Sequence, residues 1–169
     1  MLFNFHEAIS QRLLRIGSRA KRLWKNYLFQ SFLAVIVVAI VFVLLTVQNA
    51  VVIASIGATA FIVFTMPKNT TANPRRVIGG HLIGLASGSA AALIPHSTVP
   101  TSIVVYSFAI GLSILLMVAL DFEHPPASGT ALGVAITGFS SGVALAVITS
   151  SIVLSLAHRL LKRFLKDLV

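Results

Sequence analysis

A run of twenty residues without a charged side chain, Leu28 to Val47, limits the possible folds of this chain more than any other stretch. A helix of that length is about 30 Å long, which matches the hydrocarbon core of a bilayer. The composition also indicates a membrane protein, because 57% of the 169 residues are apolar and 10% are charged. A soluble domain has roughly 25% charged residues. We therefore predict an integral membrane protein with a single transmembrane domain.

Further apolar segments follow the first and define the predicted architecture. The fifth span is short, because Gly138 to Gly142 interrupts an apolar run that is too long for one upright helix. The second span is also short and contains many small residues. The prediction is an all-α polytopic membrane helix bundle with two short interrupted helices. Its transmembrane domain is residues 28–158, with spans at about 28–47, 50–66, 77–94, 102–120, 127–137 and 143–158.

Basic segments flank the transmembrane domain. Residues 1–27 carry six of the thirteen lysines and arginines, with apolar residues at helical spacing, and we predict an amphipathic segment that lies on the membrane surface. Residues 159–169 form a basic C-terminal tail. Because the net charge of +9 flanks apolar segments, it indicates orientation and contact with anionic membrane lipid and not nucleic-acid binding.

The positions of the basic residues predict an even number of crossings. Basic residues in short loops mark the cytoplasmic side, so both termini and the connection 68–76 are predicted to be cytoplasmic. Six crossings place every lysine and arginine inside, and four crossings with two re-entrant segments is the alternative. The expected location is a bacterial plasma membrane, with a plastid envelope as the second choice.

Six crossings divide into two sets of three that run in opposite senses. The middle segments of the two sets are similar, since Gly57 to Val63 aligns with Ser128 to Val134 and both contain Thr-Ala and a final valine. This is the arrangement of inverted repeats, in which interrupted segments at corresponding places indicate a binding site near the middle of the membrane. We therefore predict two inverted repeats of three segments each.

The stretch from Asp121 to Thr130 is polar where polar groups are expensive, and it contains His124 and two prolines. The prolines favour a helix that starts at this point, and a helix N-terminus attracts anions. We predict an anion site between opposed helix N-termini near Gly57 and Pro126, with Arg75 and Arg76 as an electrostatic funnel. The predicted substrate-binding residues are Ser55, Gly57, Thr59, His81, His124, Pro125, Pro126, Ser128, Gly129 and Thr130.

Several roles remain open for these residues. His124 could meet the anion, carry a proton, or bond to Asp121 or Glu123 and hold the turn. Those three groups could also bind a cation or metal, although their spacing is a weak ligand pattern. The chain lacks cysteine, no nucleophile motif is visible, and we predict neither an enzyme nor a bound cofactor or metal. The glycines at 80, 84 and 88 share one helix face and predict close helix packing.

Three motifs in sequence order resemble the HPP family of small integral membrane proteins. They are Ala54 to Ala60, Asn73 to His81 and Glu123 to Leu132, and the resemblance covers about residues 28–157. The family implies a transporter-like protein, and members in cyanobacteria and chloroplasts are associated with nitrite transport. The positions carried over by the motifs are Gly57, Thr59, Pro74, Arg75, Gly80, His81, His124, Pro125, Pro126 and Thr130.

The leading functional hypothesis is a permease or channel for a small monovalent anion, with nitrite as the expected substrate. The alternative from another class is a non-transporting membrane subunit or scaffold that docks a partner through its glycine faces. The expected partners are a small inorganic anion, membrane lipid and a second copy of the chain.

Overall fold

The computed structural model describes residues 2–44 and 50–169. Within those ranges the chain forms six α-helices and no strand, so the predicted all-α bundle is confirmed. A short 3-10 turn at Thr70–Ala72 precedes the third helix. The helices are α1 Leu2–Leu44, α2 Ala50–Thr65, α3 Pro74–Ala92, α4 Val99–Ala119, α5 Pro126–Thr137 and α6 Ser141–Leu161.

Within the described residues, three helices are long and apolar enough to cross a bilayer. They contain the segments Ile9–Val41, Val99–Ala119 and Ser141–Leu161. Helix α2 contributes a shorter apolar segment, Val52–Thr65, and α5 has 12 residues. Because backbone groups in lipid must be paired within the protein, helices of this composition place the chain in a membrane.

Residues 1–27 and the first predicted span are not separate elements, because α1 continues through residue 27. Its residues in this region are mainly good helix formers and include no proline, so nothing ends the helix there. No side chain described between residues 7 and 29 is buried, whereas Gln30 is fully buried. The N-terminal part of α1 therefore extends beyond the packed bundle. The end of the first predicted span and the connection at Gln48 and Asn49 lie outside the described residues.

Side-chain caps and prolines set where most helices begin. Asn73 caps α3, whose first residue is Pro74, and Ser140 caps α6. Pro126 opens α5, where its missing N–H has no helical partner to lose. The break predicted at Gly138 is present, and that residue has a φ of 78°, which favours glycine.

Helix α3 lies at the centre and packs against α4, α5 and α6. Its glycine face allows α5 to approach closely. A Cβ on Gly84 would overlap the carbonyl oxygen of Ala127, and one on Gly88 would overlap that of Ala131. The close packing predicted from the glycine spacing is therefore confirmed, and it brings the start of α5 against the middle of α3.

The connections that carry charge meet at one end of the bundle. Leu168 N donates to the carbonyl of Thr65 at 2.8 Å, and His158 Nε2 donates to that of Pro67 at 2.8 Å. Gln30 Nε2 donates to the carbonyl of Lys166 at 2.9 Å. The connection 66–73, the C-terminal segment and the middle of α1 are therefore adjacent. We call this region the basic end.

Candidate functional site

Helices α2, α3 and α5 and the connection before α5 bring five polar side chains into one buried group. All five were among the predicted substrate-binding residues, and each is less than 5% exposed. We call them the polar cluster. Its members are Ser55, Thr59, His81, His124 and Thr130.

The hydroxyl of Thr59 is the centre of the polar cluster. Its Oγ1 lies 2.9 Å from Nε2 of His81 and 2.9 Å from Nε2 of His124. The same oxygen lies 3.0 Å from the carbonyl oxygen of Ser55, one helical turn earlier. The two imidazole rings are consequently close, with centroids 5.1 Å apart.

Hydrogen bonds extend from the histidines in both directions. His124 Nδ1 lies 2.8 Å from the carbonyl oxygen of Thr71, and His81 Nδ1 lies 2.9 Å from Thr130 Oγ1. Ser55 Oγ is 2.8 Å from Thr130 Oγ1 and 2.6 Å from the carbonyl oxygen of Pro126. The cluster is thus a continuous series of contacts between two backbone carbonyls.

Two glycines make room for this arrangement. A Cβ on Gly80 would lie 2.7 Å from the Cβ of His124, so only glycine lets that histidine reach Thr59. Gly129 faces Ser55, and a Cβ there would lie 3.4 Å from the serine Cβ. These motif glycines position the polar cluster, since neither has a polar side chain that could join it.

Protonation of His124 is set by its surroundings. A carbonyl oxygen only accepts, so Nδ1 of His124 must carry the hydrogen that bonds to Thr71. Burial lowers the pKa of His124 to about 4, although the hydrogen bond to Thr71 opposes part of that shift. At neutral pH the ring is therefore neutral, and its Nε2 is an acceptor toward Thr59.

The carboxylates before α5 bind arginines and do not hold His124. Arg76 forms ion pairs with both Asp121 and Glu123. Arg75 lies 3.6 Å from Asp121 and stacks at 4.8 Å over the ring of Phe122. Of the three roles left open for His124, the structure contradicts the bond to Asp121 or Glu123, because the connection turns their side chains toward α3 while the imidazole points inward. The two predicted funnel arginines are adjacent to the polar cluster but are paired.

Five predicted residues lie outside the polar cluster, and one of them is Gly129, which faces Ser55. Gly57 is exposed, with nothing within 4 Å of the position of its Cβ. Pro125 and Ser128 line a groove of about 400 Å³ beside α4. Pro126 contributes its backbone carbonyl to the cluster, as described above.

The prediction of opposed helix N-termini was wrong. Helix α2 begins at Ala50, so Gly57 lies within it. The first N–H groups of α5 are also engaged, because Ala127 N donates to the carbonyl of His124 at 2.9 Å and Ser128 N to that of Pro125 at 3.1 Å. The small residues of α2 permit packing and do not mark a helix start. The candidate site is therefore formed by polar side chains and not by free N–H groups at helix N-termini.

The structure gives no support to the alternative of a metal site. Across residues 2–44 and 50–169 no group of three histidine, cysteine or acidic side chains is placed to hold a metal ion. Both carboxylates bind Arg76, and both ring nitrogens of His124 have protein partners.

Two residues that hold the site or the adjacent basic end together were not predicted from the sequence. Thr71 contributes a backbone carbonyl, which no sequence pattern can indicate because every residue has one. Gln30 is fully buried and donates to the carbonyls of Lys166 and Phe64, which joins α1 to the basic end. A glutamine within an apolar run is a signal that could have found it.

The bundle and its spans define an all-helical integral membrane protein. The family model described as the HPP transmembrane region matches residues 16–167. The chain therefore belongs to the HPP family, and the resemblance inferred from the three motifs is confirmed.

Two transmembrane proteins of Dictyostelium discoideum are similar to this chain. One is 36% identical over 104 residues, which is 60% of this chain and 36% of the relative. The other is 30% identical over 104 residues, covering 60% of this chain and 33% of the relative. The chain thus matches about a third of the length of each. No solved structure shows a significant match.

Proposed function

We propose that this protein is a permease for a small monovalent anion, with nitrite as the preferred substrate. The observation that carries the proposal is the polar cluster, which buries three hydroxyl groups and two imidazoles inside an apolar membrane bundle. Polar groups at such positions are costly and mark substrate pathways. The cluster contains no carboxylate, so it holds no fixed negative charge that would favour a cation over an anion.

The charges of Arg75 and Arg76 fit the same substrate. Arg75 and Arg76 lie where the connection before α5 covers His124, and each is close to a carboxylate. An arriving anion can replace Asp121 or Glu123 on the guanidinium of Arg76, because both offer the same kind of oxygen acceptor. This exchange loosens the connection over His124 and gives the anion access to the cluster.

The two halves contribute equivalent threonines, which is consistent with inverted repeats. Thr59 and Thr130 occupy matching places in the aligned segments, and both belong to the polar cluster. Ser55 contacts Thr130, whereas Thr59, one turn further along α2, contacts His124 before α5 begins. Helices α2 and α5 therefore run antiparallel across the site, as opposed repeats require.

Flux into proteoliposomes tests the proposal. Nitrite uptake should exceed that of nitrate, formate and chloride, and it should exceed the leak into empty vesicles at the same pH. Thr130→Val should reduce uptake by about tenfold, the value of one hydrogen bond to a charged group. Thr137→Val is the matched control, because its hydroxyl bonds to the backbone carbonyls of Gly133 and Gly138 and not to the polar cluster. No nitrite uptake above empty vesicles would reject the specific substrate.

One observation favours the alternative of a partner-docking subunit. The helix surface from residue 7 to residue 29 has no buried side chain among those described, although it includes Leu13, Leu14 and Trp24. A stoichiometric partner that co-purifies with the protein, together with an absence of flux for the protein alone, would support that function over transport.

A further inference from the structure

The polar cluster is a linear series of six hydrogen-bond contacts with a carbonyl oxygen at each end. It starts at the carbonyl of Thr71, ends at the carbonyl of Pro126, and its contact distances are between 2.6 and 2.9 Å. The order of the five side chains between the two carbonyls is His124, Thr59, His81, Thr130 and Ser55.

Counting hydrogens shows that the series is incomplete when both histidines are neutral. Each contact needs one hydrogen, and the terminal carbonyls supply none. A neutral imidazole has one N–H, and each hydroxyl has one O–H, so five side chains supply five hydrogens for six contacts. The additional contact from Thr59 to the carbonyl of Ser55 competes for the same hydroxyl hydrogen. One more hydrogen would give every contact in the series a donor.

We propose that the polar cluster binds one proton, shared between His81 and His124, and that it takes up this proton together with the transported anion. The inference rests on the proposed function and specifies its coupling ion. One proton and one monovalent anion enter from the same side and leave on the other, so the complete cycle moves no net charge.

When the extra proton is on His124, the direction of every hydrogen bond between His124 and Ser55 differs from that of the neutral state. In the neutral state Ser55 donates to Thr130, and each member donates onward until His124 donates to the carbonyl of Thr71. With the extra proton, His124 Nε2 donates to Thr59 and the direction reverses. Ser55 then donates to the carbonyl of Pro126, and both ends are satisfied. The hydroxyl of Thr59 links the two rings in both states.

The surrounding charges explain why the proton requires the anion. The titratable groups nearest the histidines are Glu123 and Asp121, which pair with Arg76. Helices α2, α4 and α5 present no ionisable side chain to the cluster, and His158 of α6 bonds to the carbonyl of Pro67. A protonated cluster thus has no unpaired carboxylate beside it within the part of the chain that the structure describes. The anion supplies the missing negative charge.

Nitrogen-15 NMR of the histidine rings in nanodiscs tests the proton site without transport. We expect the His81 and His124 signals to change together as one proton is bound. Sodium nitrite should raise the pH of half-protonation of His124 by about one to three units, as expected for an adjacent opposite charge. Thr59→Val should abolish the joint response. Independent titration of the two rings, or an absence of any nitrite effect, would overturn the proton site.

Flux measurements test the coupling itself. Nitrite uptake into proteoliposomes should remove one proton from the outer medium per anion and should not respond to a membrane potential set by valinomycin and potassium. Nitrite flux that carries current, or that moves no protons, would overturn the coupling and leave the proposed permease intact. Nitrite-linked protonation without flux would reject the permease and the coupling with it, while the proton site itself would stand.

Discussion

The hydroxyl of Thr59 lies 2.9 Å from Nε2 of His124, and this single contact connects α2 to the connection that carries the His-Pro-Pro motif. The motif histidine is thereby held from both sides, since its Nδ1 bonds to the carbonyl of Thr71. The prolines that follow start α5 directly behind it. The motif therefore fixes a buried imidazole and the start of a short helix at the same place.

Removing the central hydroxyl should destabilise the bundle. Thr59→Val retains the shape of the side chain but leaves Nε2 of His81 and of His124 without their partner. Each buried polar group left unpaired costs about 1–3 kcal/mol, so the midpoint of thermal unfolding in detergent should fall clearly. Thr65→Val is the control in the same helix, because that hydroxyl only bonds to the carbonyl of Phe61. Equal midpoints for the two variants would contradict the central role of Thr59.

Acidification should destabilise the protein through His124. The folded pKa is lowered to about 4 from 6.5, so the unfolded chain binds more protons between these values and folding stability rises with pH. The contribution of neutral His124 to the free energy of unfolding is complete above pH 6.5 and is lost as the pH falls toward 4. It is on the order of 3 kcal/mol in total. Unfolding midpoints measured across this range should fall less steeply for His124→Gln than for the natural protein. Identical slopes would show that another group is responsible.

The helices could be predicted from the sequence because lipid leaves the backbone few alternatives. Uncharged runs such as Leu28 to Val47 must satisfy their peptide groups internally, and proline and glycine mark the ends, as at Gly138. The polar residues of the cluster could also be predicted individually, since histidine and threonine in such runs need partners. Their pairing could not, because it depends on how each helix is rotated about its axis.

The structure contradicts a helix N-terminus at Gly57 and a bond from Asp121 or Glu123 to His124, and each difference has an identifiable reason. Gly57 shares the small-residue pattern of its neighbours, but it lies on the exposed side of α2, which composition cannot distinguish from the packed side. The partners of Arg76 lie 45 and 47 residues further along the chain. Pairs so distant in sequence form only when the helices between them are in place, so a single sequence does not indicate them.

Arg76 should matter more for transport than Arg75. Arg76→Gln removes the ion pairs with Asp121 and Glu123, and the two freed carboxylates repel an arriving anion. We expect nitrite flux at low salt to fall by about tenfold and to recover in part when added salt screens the repulsion. Arg75→Gln is the control, since that side chain is 63% exposed and, besides its stacking on Phe122, makes one long ion-pair contact of 3.6 Å. A larger loss for Arg75→Gln would place the functional cation on the outer arginine.

The orientation can be measured directly because the chain contains no cysteine. Asn69→Cys and Phe139→Cys introduce one thiol each at exposed positions in two connections. The basic residues predict that position 69 is cytoplasmic and that position 139 is on the other side. A membrane-impermeant maleimide added to intact cells should therefore label only the Phe139→Cys protein. Labelling of Asn69→Cys alone would reverse the predicted orientation, and labelling of both would exclude the predicted crossing count.

Glycine substitutions separate helix packing from local helix preference. A Cβ on Gly84 overlaps the carbonyl oxygen of Ala127, so Gly84→Ala must push α5 away from α3. Overpacking of this kind costs about 1–3 kcal/mol, and the shift also draws Thr130 away from His81. Gly111→Ala is the control, because nothing lies within 4 Å of its Cβ position in α4. There alanine should be neutral or stabilise by up to about 1 kcal/mol. We expect Gly84→Ala to lower both the unfolding midpoint and nitrite flux, and Gly111→Ala to lower neither. If both variants unfold at the temperature of the natural protein, α5 does not depend on the glycine face, and the geometry of the polar cluster must be maintained by its hydrogen bonds alone.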